Sequence, residues 1–209
     1  MPRTLVLASN NAGKIKEFNA LLADIGITVK PQGEFDFEEA EETGLSFIEN
    51  AILKARHACA HTGLPALADD SGIEVDYLDG APGIYSARFA GEHGNNEANN
   101  ALLLKKLDGV PEQKRTARFH CVLAYMRHQN DPTPQVFHGV WEGRILTSAQ
   151  GQEGFGYDPI FFVPEHGCSA ASLPKDIKNQ ISHRAQALQQ LLASFEQATG
   201  FEQTTGPRS

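Results

Sequence analysis

The spacing of apolar and polar positions changes along the chain, and each change of period marks an element. Residues 3–8 form an apolar run that reads as a strand. Residues 14–25 place Ile15, Phe18, Leu21, Leu22 and Ile25 on one face of an amphipathic helix. A short strand is expected near 27–30, followed by an acidic loop from Glu34 to Thr43. The next helix has a readable start, because Ser46 and Glu49 make an S-x-x-E capping box. Its apolar stripe is Phe47, Ile48, Ala51, Ile52, Ala55, Ala58 and Cys59, and Gly63 is expected to end it.

Pro65-Ala66-Leu67-Ala68 reads as a short buried strand that runs into Asp69 and Asp70, with Ser71-Gly72 as the turn that ends it. Residues 73–78 read as a strand, Gly80-Ala81-Pro82-Gly83 as a turn and 97–107 as a helix. Residues 116–127 and 135–141 are strand-like and form a hairpin through Asn130-Asp131-Pro132. Alternation is clear in Ala117, Phe119, Cys121, Leu123 and Tyr125. Residues 159–163 predict another strand, and 182–198 a final helix carrying Ala185, Leu188, Leu191, Leu192 and Phe195. The last residues, 200–209, read as a frayed tail behind one domain spanning 1–199. Crossover and hairpin connections together imply an α/β domain with a mixed sheet.

Composition narrows the function. The 209 residues carry 18 Lys and Arg against 26 Asp and Glu, a net charge of −8. That balance argues against a nucleic-acid polymer as partner, because backbone binding wants a basic face. Free nucleotides stay possible through a local lysine cluster. No apolar run approaches a membrane span, and the N-terminal apolar segment is too short for a signal peptide, so a cytoplasmic protein is expected. Cys59, Cys121 and Cys168 are odd in number and lack metal-binding spacing, which suits reduced thiols packed as small apolar groups.

Several polar groups suggest chemistry. Asp69 and Asp70 at a strand end need a compensating positive charge, from a divalent metal, a metal-bound phosphate or a lysine. A solvated turn is the plainer alternative. Ser9, Asn10, Asn11, Ala12, Gly13 and Lys14 join the first strand to the first helix, a natural phosphate cradle of amides and helix dipole. It is not a Walker A loop, and Asn10 or Asn11 could simply cap the helix. Ser182 reads as an N-cap that places His183 and Arg184 in the first helical turn, where cations oppose the macrodipole. Lys54 flanks a buried stripe, and Glu42 stands before the capped helix, where it could help hold magnesium; each is also an ordinary surface charge. Gly154-Phe155-Gly156-Tyr157-Asp158-Pro159 alternates aromatics and glycines before a strand, which suits a stacked flat ligand or a bulged turn.

In this order the segments resemble the inosine triphosphate pyrophosphatase family, and within it the bacterial members acting on dITP and XTP. The resemblance runs from about Leu5 to Leu192. It rests on Ser9–Lys14, on Glu41-Glu42-Thr43-Gly44 leading to Phe47-Ile48-Glu49-Asn50-Ala51, and on Leu67–Gly72. It continues through Gly80–Arg88, Phe155–Pro159 and Ser182-His183-Arg184. One departure is Leu173-Pro174-Lys175-Asp176-Ile177, which replaces a more acidic helix start.

The resemblance implies an elongated mixed sheet flanked by helices, two lobes around a central cleft, and a homodimer. It implies Mg²⁺-dependent hydrolysis of ITP, dITP and XTP to the monophosphate and pyrophosphate. By motif, Ser9 to Lys14 would bind the triphosphate, with Lys54 and Lys178 near it and Ser71 touching the nucleotide. Asp70 would be the catalytic carboxylate and a metal ligand, Glu42 (or Glu41) the second metal carboxylate, and Asp69 a support. Phe155, Gly156, Tyr157, Asp158, His183 and Arg184 would form the base pocket. A Maf-like pyrophosphatase with other substrates and a non-catalytic nucleotide-binding module are the competing readings.

Overall fold

The computed structural model describes residues 4–204, with side chains through Gln197. β1 (Thr4–Leu7) is the first apolar run, with Leu5, Val6 and Leu7 fully buried. α1 (Ala12–Ala23) follows and buries Phe18 and Leu22, while Ile15, Leu21 and Ile25 lie half-buried beside them. β2 (Thr28–Pro31) pairs parallel with β1. α2 (Phe47–Thr62) begins at the expected box: Ser46 Oγ accepts from Glu49 N, and the Glu49 carboxylate accepts from Ser46 Oγ and Leu45 N. It ends at Gly63, whose φ of +68° is the left-handed cap that favours glycine. Ile48 departs from the expected stripe and is 43% exposed. The buried face centres on Phe47, Ala51, Ala55 and Ala58, and Ile48 is one residue, about 100°, around the helix.

β3 (Ala66–Val75) corrects the expected turn at Ser71-Gly72, because the strand runs straight through it. The reason is pairing: β4 (Pro82–Gly83) lies antiparallel against Ile73 and Glu74 and extends the ladder past the carboxylates. Ser86 Oγ also accepts from Ile73 N at 2.9 Å. α3 (Asn96–Lys106), β5 (Thr116–Met126) and β6 (Gln135–Ile145) come next. β5 is buried at every position from Phe119 to Met126, so the alternation seen in sequence understates its burial. β6 runs past the predicted end because Arg144 and Ile145 pair with β7 (Phe161–Val163). β8 (Cys168–Ser169), α4 (Lys175–Ile181) and α5 (His183–Thr204) complete the order. The departing segment at 173–177 therefore opens α4, with Pro174 before its first turn. α5 continues past the predicted end, and residues 205–209 of the expected tail lie outside the described residues.

Among the described residues the strand order β2-β1-β3-β5-β6-β7-β8, with β4 beside β3, makes one eight-stranded sheet. Its β1–β2 and β1–β3 ladders are parallel, and β3–β4, β6–β7 and β7–β8 are antiparallel. This is the mixed α/β sheet expected from the alternating elements. No helix among the described residues is long and apolar enough to cross a membrane.

The chain divides into two compact units. The first comprises the chain up to Asp70, Val122–His138 and the segment from Ala187 onward. Its buried side chains include Leu5, Phe18, Leu22, Leu67, Leu191 and Phe195. Cys59 is buried there, and burial pushes its thiol up to about 11, which leaves it unreactive. The second unit comprises Ser71–Cys121 and Gly139–Gln186. Its core gathers Ile73, Leu103, Phe119, Trp141, Ile160 and Phe161.

Arg115 stitches that second unit together. It is 3% exposed and donates to Leu107 O at 2.7 Å, Ile145 O at 2.8 Å and Leu146 O at 2.6 Å. Arg115→Met leaves three carbonyls without this donor, so a loss of about 3 kcal/mol is expected in urea denaturation. A loss below about 1 kcal/mol would show that water replaces the guanidinium at no real cost.

Candidate active site

Neighbouring residues on a strand face opposite ways, and β3 uses this to separate its two carboxylates. Asp69 accepts from Lys14 Nζ through both oxygens at 2.8 Å. Asp70 Oδ1 accepts from Lys54 Nζ at 3.0 Å, and the same amine donates to Glu42 Oε1 at 2.9 Å. Lys14 comes from α1 and Lys54 from α2, the helices before and after β2. Within the first unit, two ammonium groups thus serve three carboxylates.

Burial sets the electrostatics of this cluster. Asp69 is 4% and Asp70 9% exposed. Desolvation pushes the Asp70 carboxyl up; Lys54 pulls it back, but its pKa stays above the ordinary aspartate value. Burial presses the Lys54 ammonium down, yet Asp70, Asp69 and Glu42 together outweigh it, and its pKa stands above the ordinary lysine value. Asp70 Oδ2 is buried and has no hydrogen-bond partner within the protein.

That orphaned oxygen is the place where a hard cation fits. Asp70 and Glu42 already share one cation, the Lys54 ammonium, so their carboxylates converge on a common positive charge. Among the described residues no group of three or more His, Cys, Asp and Glu side chains is arranged to hold a metal. Two carboxylates with further oxygens from substrate and water match the habits of a small hard ion. Between the two glutamates, Glu42 is the one on Lys54, while Glu41 is exposed.

The loop after β1 is ordered by its own side chains. Ser9 Oγ accepts from Asn11 N, and Asn11 Oδ1 accepts from Lys14 N and caps α1. Ala12 and Gly13 form the first turn of the helix. Asn10 Nδ2 donates to Glu39 Oε1 at 3.1 Å. The capping alternative raised by the sequence is therefore the one seen for Asn11, and the Lys14 amine is engaged with Asp69.

In the second unit, the glycine-aromatic segment is a turn closed by Asp158. Its Oδ2 accepts from Phe155 N at 2.8 Å and from Lys178 Nζ. Gly154 has a φ of +82°, and a Cβ there would stand 2.2 Å from Asp158 Oδ2, so only glycine fits. Phe155 is 62% exposed, with Lys178 Nζ and Arg184 Cζ at 5.5 and 5.7 Å from its ring centre. Tyr157 is buried, and its hydroxyl donates to Ser86 O at 2.8 Å. Asn100 Nδ2 donates to Gly156 O at 3.0 Å. His183 is 7% exposed and stacks on Phe119 at 4.7 Å and 11°. Ser182 Oγ accepts from Ala185 N at the start of α5, in line with its reading as a cap. Ser71 lies half-buried on β3 beside Asp70.

A family model described as the Ham1 family matches residues 5–194. The chain belongs to the Ham1 family. A dITP/XTP pyrophosphatase of Photobacterium profundum is 60% identical over 194 residues, covering 93% of this chain and 98% of the relative. One from Vibrio parahaemolyticus is 59% identical, covering 94% and 98%. A solved HAM1 protein from Coxiella burnetii superposes with a TM-score of 0.90 at 49% identity, covering 93% and 98%. The Staphylococcus aureus Ham1 protein gives 0.86 at 44%, covering 93% and 99%.

Across this Ham1 chain, the candidate residues fall into two groups. Ser9 to Lys14, Glu42, Lys54, Asp69 and Asp70 belong to the first unit; Ser71, Phe155 to Asp158, Lys178, His183 and Arg184 belong to the second. Within the second, Phe155, Asp158, Lys178 and Arg184 meet directly, whereas Tyr157 and His183 turn into packed surroundings. Sequence reasoning missed Asn100, which carries no motif.

Proposed function

We propose that this chain hydrolyses the non-standard purine nucleoside triphosphates ITP, dITP and XTP to the monophosphate and pyrophosphate, with Mg²⁺ as cofactor. The observation that carries the reading is the buried Asp70, sharing Lys54 with Glu42 and presenting an oxygen with no protein partner. Its support is membership of a family whose close relatives are named for that activity. The bound magnesium ion supplies charge neutralisation on the phosphates. Asp70 and Glu42 hold it. Asp70 also orients a water and takes its proton as the water attacks the α-phosphorus, with pyrophosphate leaving. The loop from Ser9 to Lys14 binds the phosphates. Asp69 holds Lys14 beside that loop, so the ammonium charge is placed before substrate arrives.

Base choice is assigned to the second unit. Phe155 supplies a stacking face, and Arg184 donates to the carbonyl at purine C6, where adenine carries an amino group. Lys178 holds Asp158 and thereby the shape of the turn. The protein is further proposed to be a cytoplasmic homodimer whose residues 1–199 form one catalytic domain with two lobes.

Assaying pyrophosphate release from ITP, XTP, GTP, ATP and a modified pyrimidine triphosphate with and without Mg²⁺ tests the reading. Hydrolysis of ITP and XTP well above ATP is expected. Binding without release would support a non-catalytic module, and preference for modified pyrimidines a Maf-like enzyme. Arg184→Ala is expected to reduce the ITP-over-ATP ratio of kcat/KM by about 100-fold. An unchanged ratio would remove Arg184 from base selection.

A further inference from the structure

The acidic segment before α2 is held along that helix in a regular way that the reaction has not used. Gly44 N donates to Asn50 Oδ1 at 2.9 Å. Glu42 meets Lys54. His57 Nε2 donates to Glu38 O at 2.8 Å. Phe37 stacks on His61 with ring centres 4.9 Å apart and 7° between planes. Along the segment the contacting residues fall in number, from Gly44 through Glu42 and Glu38 to Phe37; along the helix they rise, from Asn50 through Lys54 and His57 to His61. The segment therefore runs antiparallel to α2. The helix positions are spaced four, three and four, which places all of them on one stripe of α2.

Two further observations show that the fit is close. A Cβ on Gly44 would stand 2.7 Å from Asn50 Oδ1 and 2.6 Å from Glu49 Cβ, so the backbone lies directly on the helix start. His57 and His61 pack against each other with ring centres 4.4 Å apart, forming one surface under Phe37. The two contacts at this end are made by groups outside the carboxylate–lysine cluster.

We propose that His57 and His61 are positioning residues: they clasp residues 37 and 38 onto α2 and thereby set where Glu42 stands beside Asp70. The inference rests on the reading of Glu42 and Asp70 as metal carboxylates. Glu42 is four residues from Glu38, too few for an independent course once the Phe37 end is fixed. Holding the segment before the ion arrives lowers the ordering that ion binding must otherwise impose, as partners behind metal ligands commonly do.

The test uses the full chain with Mn²⁺ as a paramagnetic probe. His57→Ala/His61→Ala is expected to weaken Mn²⁺ binding, read by electron paramagnetic resonance without nucleotide, by about tenfold. Amide hydrogen exchange at residues 37–43 should rise in the same variant, while exchange in β1 and β3 stays as in wild type. With ITP, the Mg²⁺ concentration for half-maximal rate should rise while kcat at saturating Mg²⁺ changes less than about twofold. His57→Gln, which keeps an N–H donor for Glu38 O, should restore most of the affinity. Unchanged Mn²⁺ affinity and unchanged exchange would overturn the proposal, as would a fall in Tm with neither change. Failure of wild type to hydrolyse ITP would instead count against the proposed activity, since the Mn²⁺ and exchange readings do not depend on turnover.

Discussion

Asp70→Asn is expected to lower kcat by about 10³-fold or more and, at the same time, to leave the metal-free protein at least as stable as wild type. The loss of rate follows from the removal of a proton acceptor and an ion ligand in one substitution. The effect on stability follows from burial. Asp70 sits 9% exposed, and desolvation raises its pKa more than Lys54 lowers it. A carboxyl whose folded pKa is raised contributes stability below the unfolded value of about 3.9 and loses it as pH rises through the folded value. At neutral pH the charge is therefore a net cost to the fold, and the neutral amide removes it. Thermal unfolding at pH 7 without metal should show a Tm equal to or above wild type. Near-normal turnover would sink the catalytic assignment; a clear fall in Tm would show that the Lys54 pair outweighs burial. The combination expected here is typical of sites kept for chemistry at the expense of stability.

Lys54→Met has the opposite sign. Its side chain is 17% exposed, and three carboxylates hold its pKa above the ordinary value against the effect of burial. A lysine with a raised folded pKa stabilises at pH below about 10.4 and loses that contribution as pH rises through the folded value. At pH 7 the whole contribution is present, so its removal is expected to cost about 3 kcal/mol, because Asp70 keeps its burial and loses its cation. Without Lys54 the Asp70 carboxyl should rise further, moving the acid limb of the pH–rate profile upward. Combining Lys54→Met with Asp70→Asn should recover much of the lost stability, since a methionine then faces a neutral amide. Additive losses in urea denaturation of the two single and the double variants would show that the pair is not coupled.

Much of this was legible in the chain. The S-x-x-E box located the start of α2, the left-handed glycine its end, and the apolar runs the strands of the sheet. The conflict between an apolar strand and two consecutive carboxylates pointed to the cluster at Asp69 and Asp70. The turn expected at Ser71-Gly72 was wrong because serine and glycine tolerate extended backbone when a neighbouring strand supplies hydrogen bonds, and β4 does. Ile48 is apolar like its neighbours but stands at the edge of the buried face, where spacing alone does not separate it from the stripe. Tyr157 and His183 look alike in sequence to Phe155 and Arg184, yet a Ser86 carbonyl and the Phe119 ring hold them inward.

By itself the sequence determined the mixed α/β class, the main strands and helices in their order though not β4, β8 or α4, the place of the carboxylates and, through its ordered motifs, the family. Those depend on local spacing and on short-range chemistry, which are written along the chain. Only the tertiary structure decided that Lys14 serves Asp69 while Lys54 joins Asp70 to Glu42, that Asp70 keeps one buried oxygen unpartnered, and that the acidic segment lies antiparallel on α2. These pairings join residues separated by up to 55 positions, and they are set by which helices flank β3 and how deeply each carboxylate is desolvated. No local pattern carries that information.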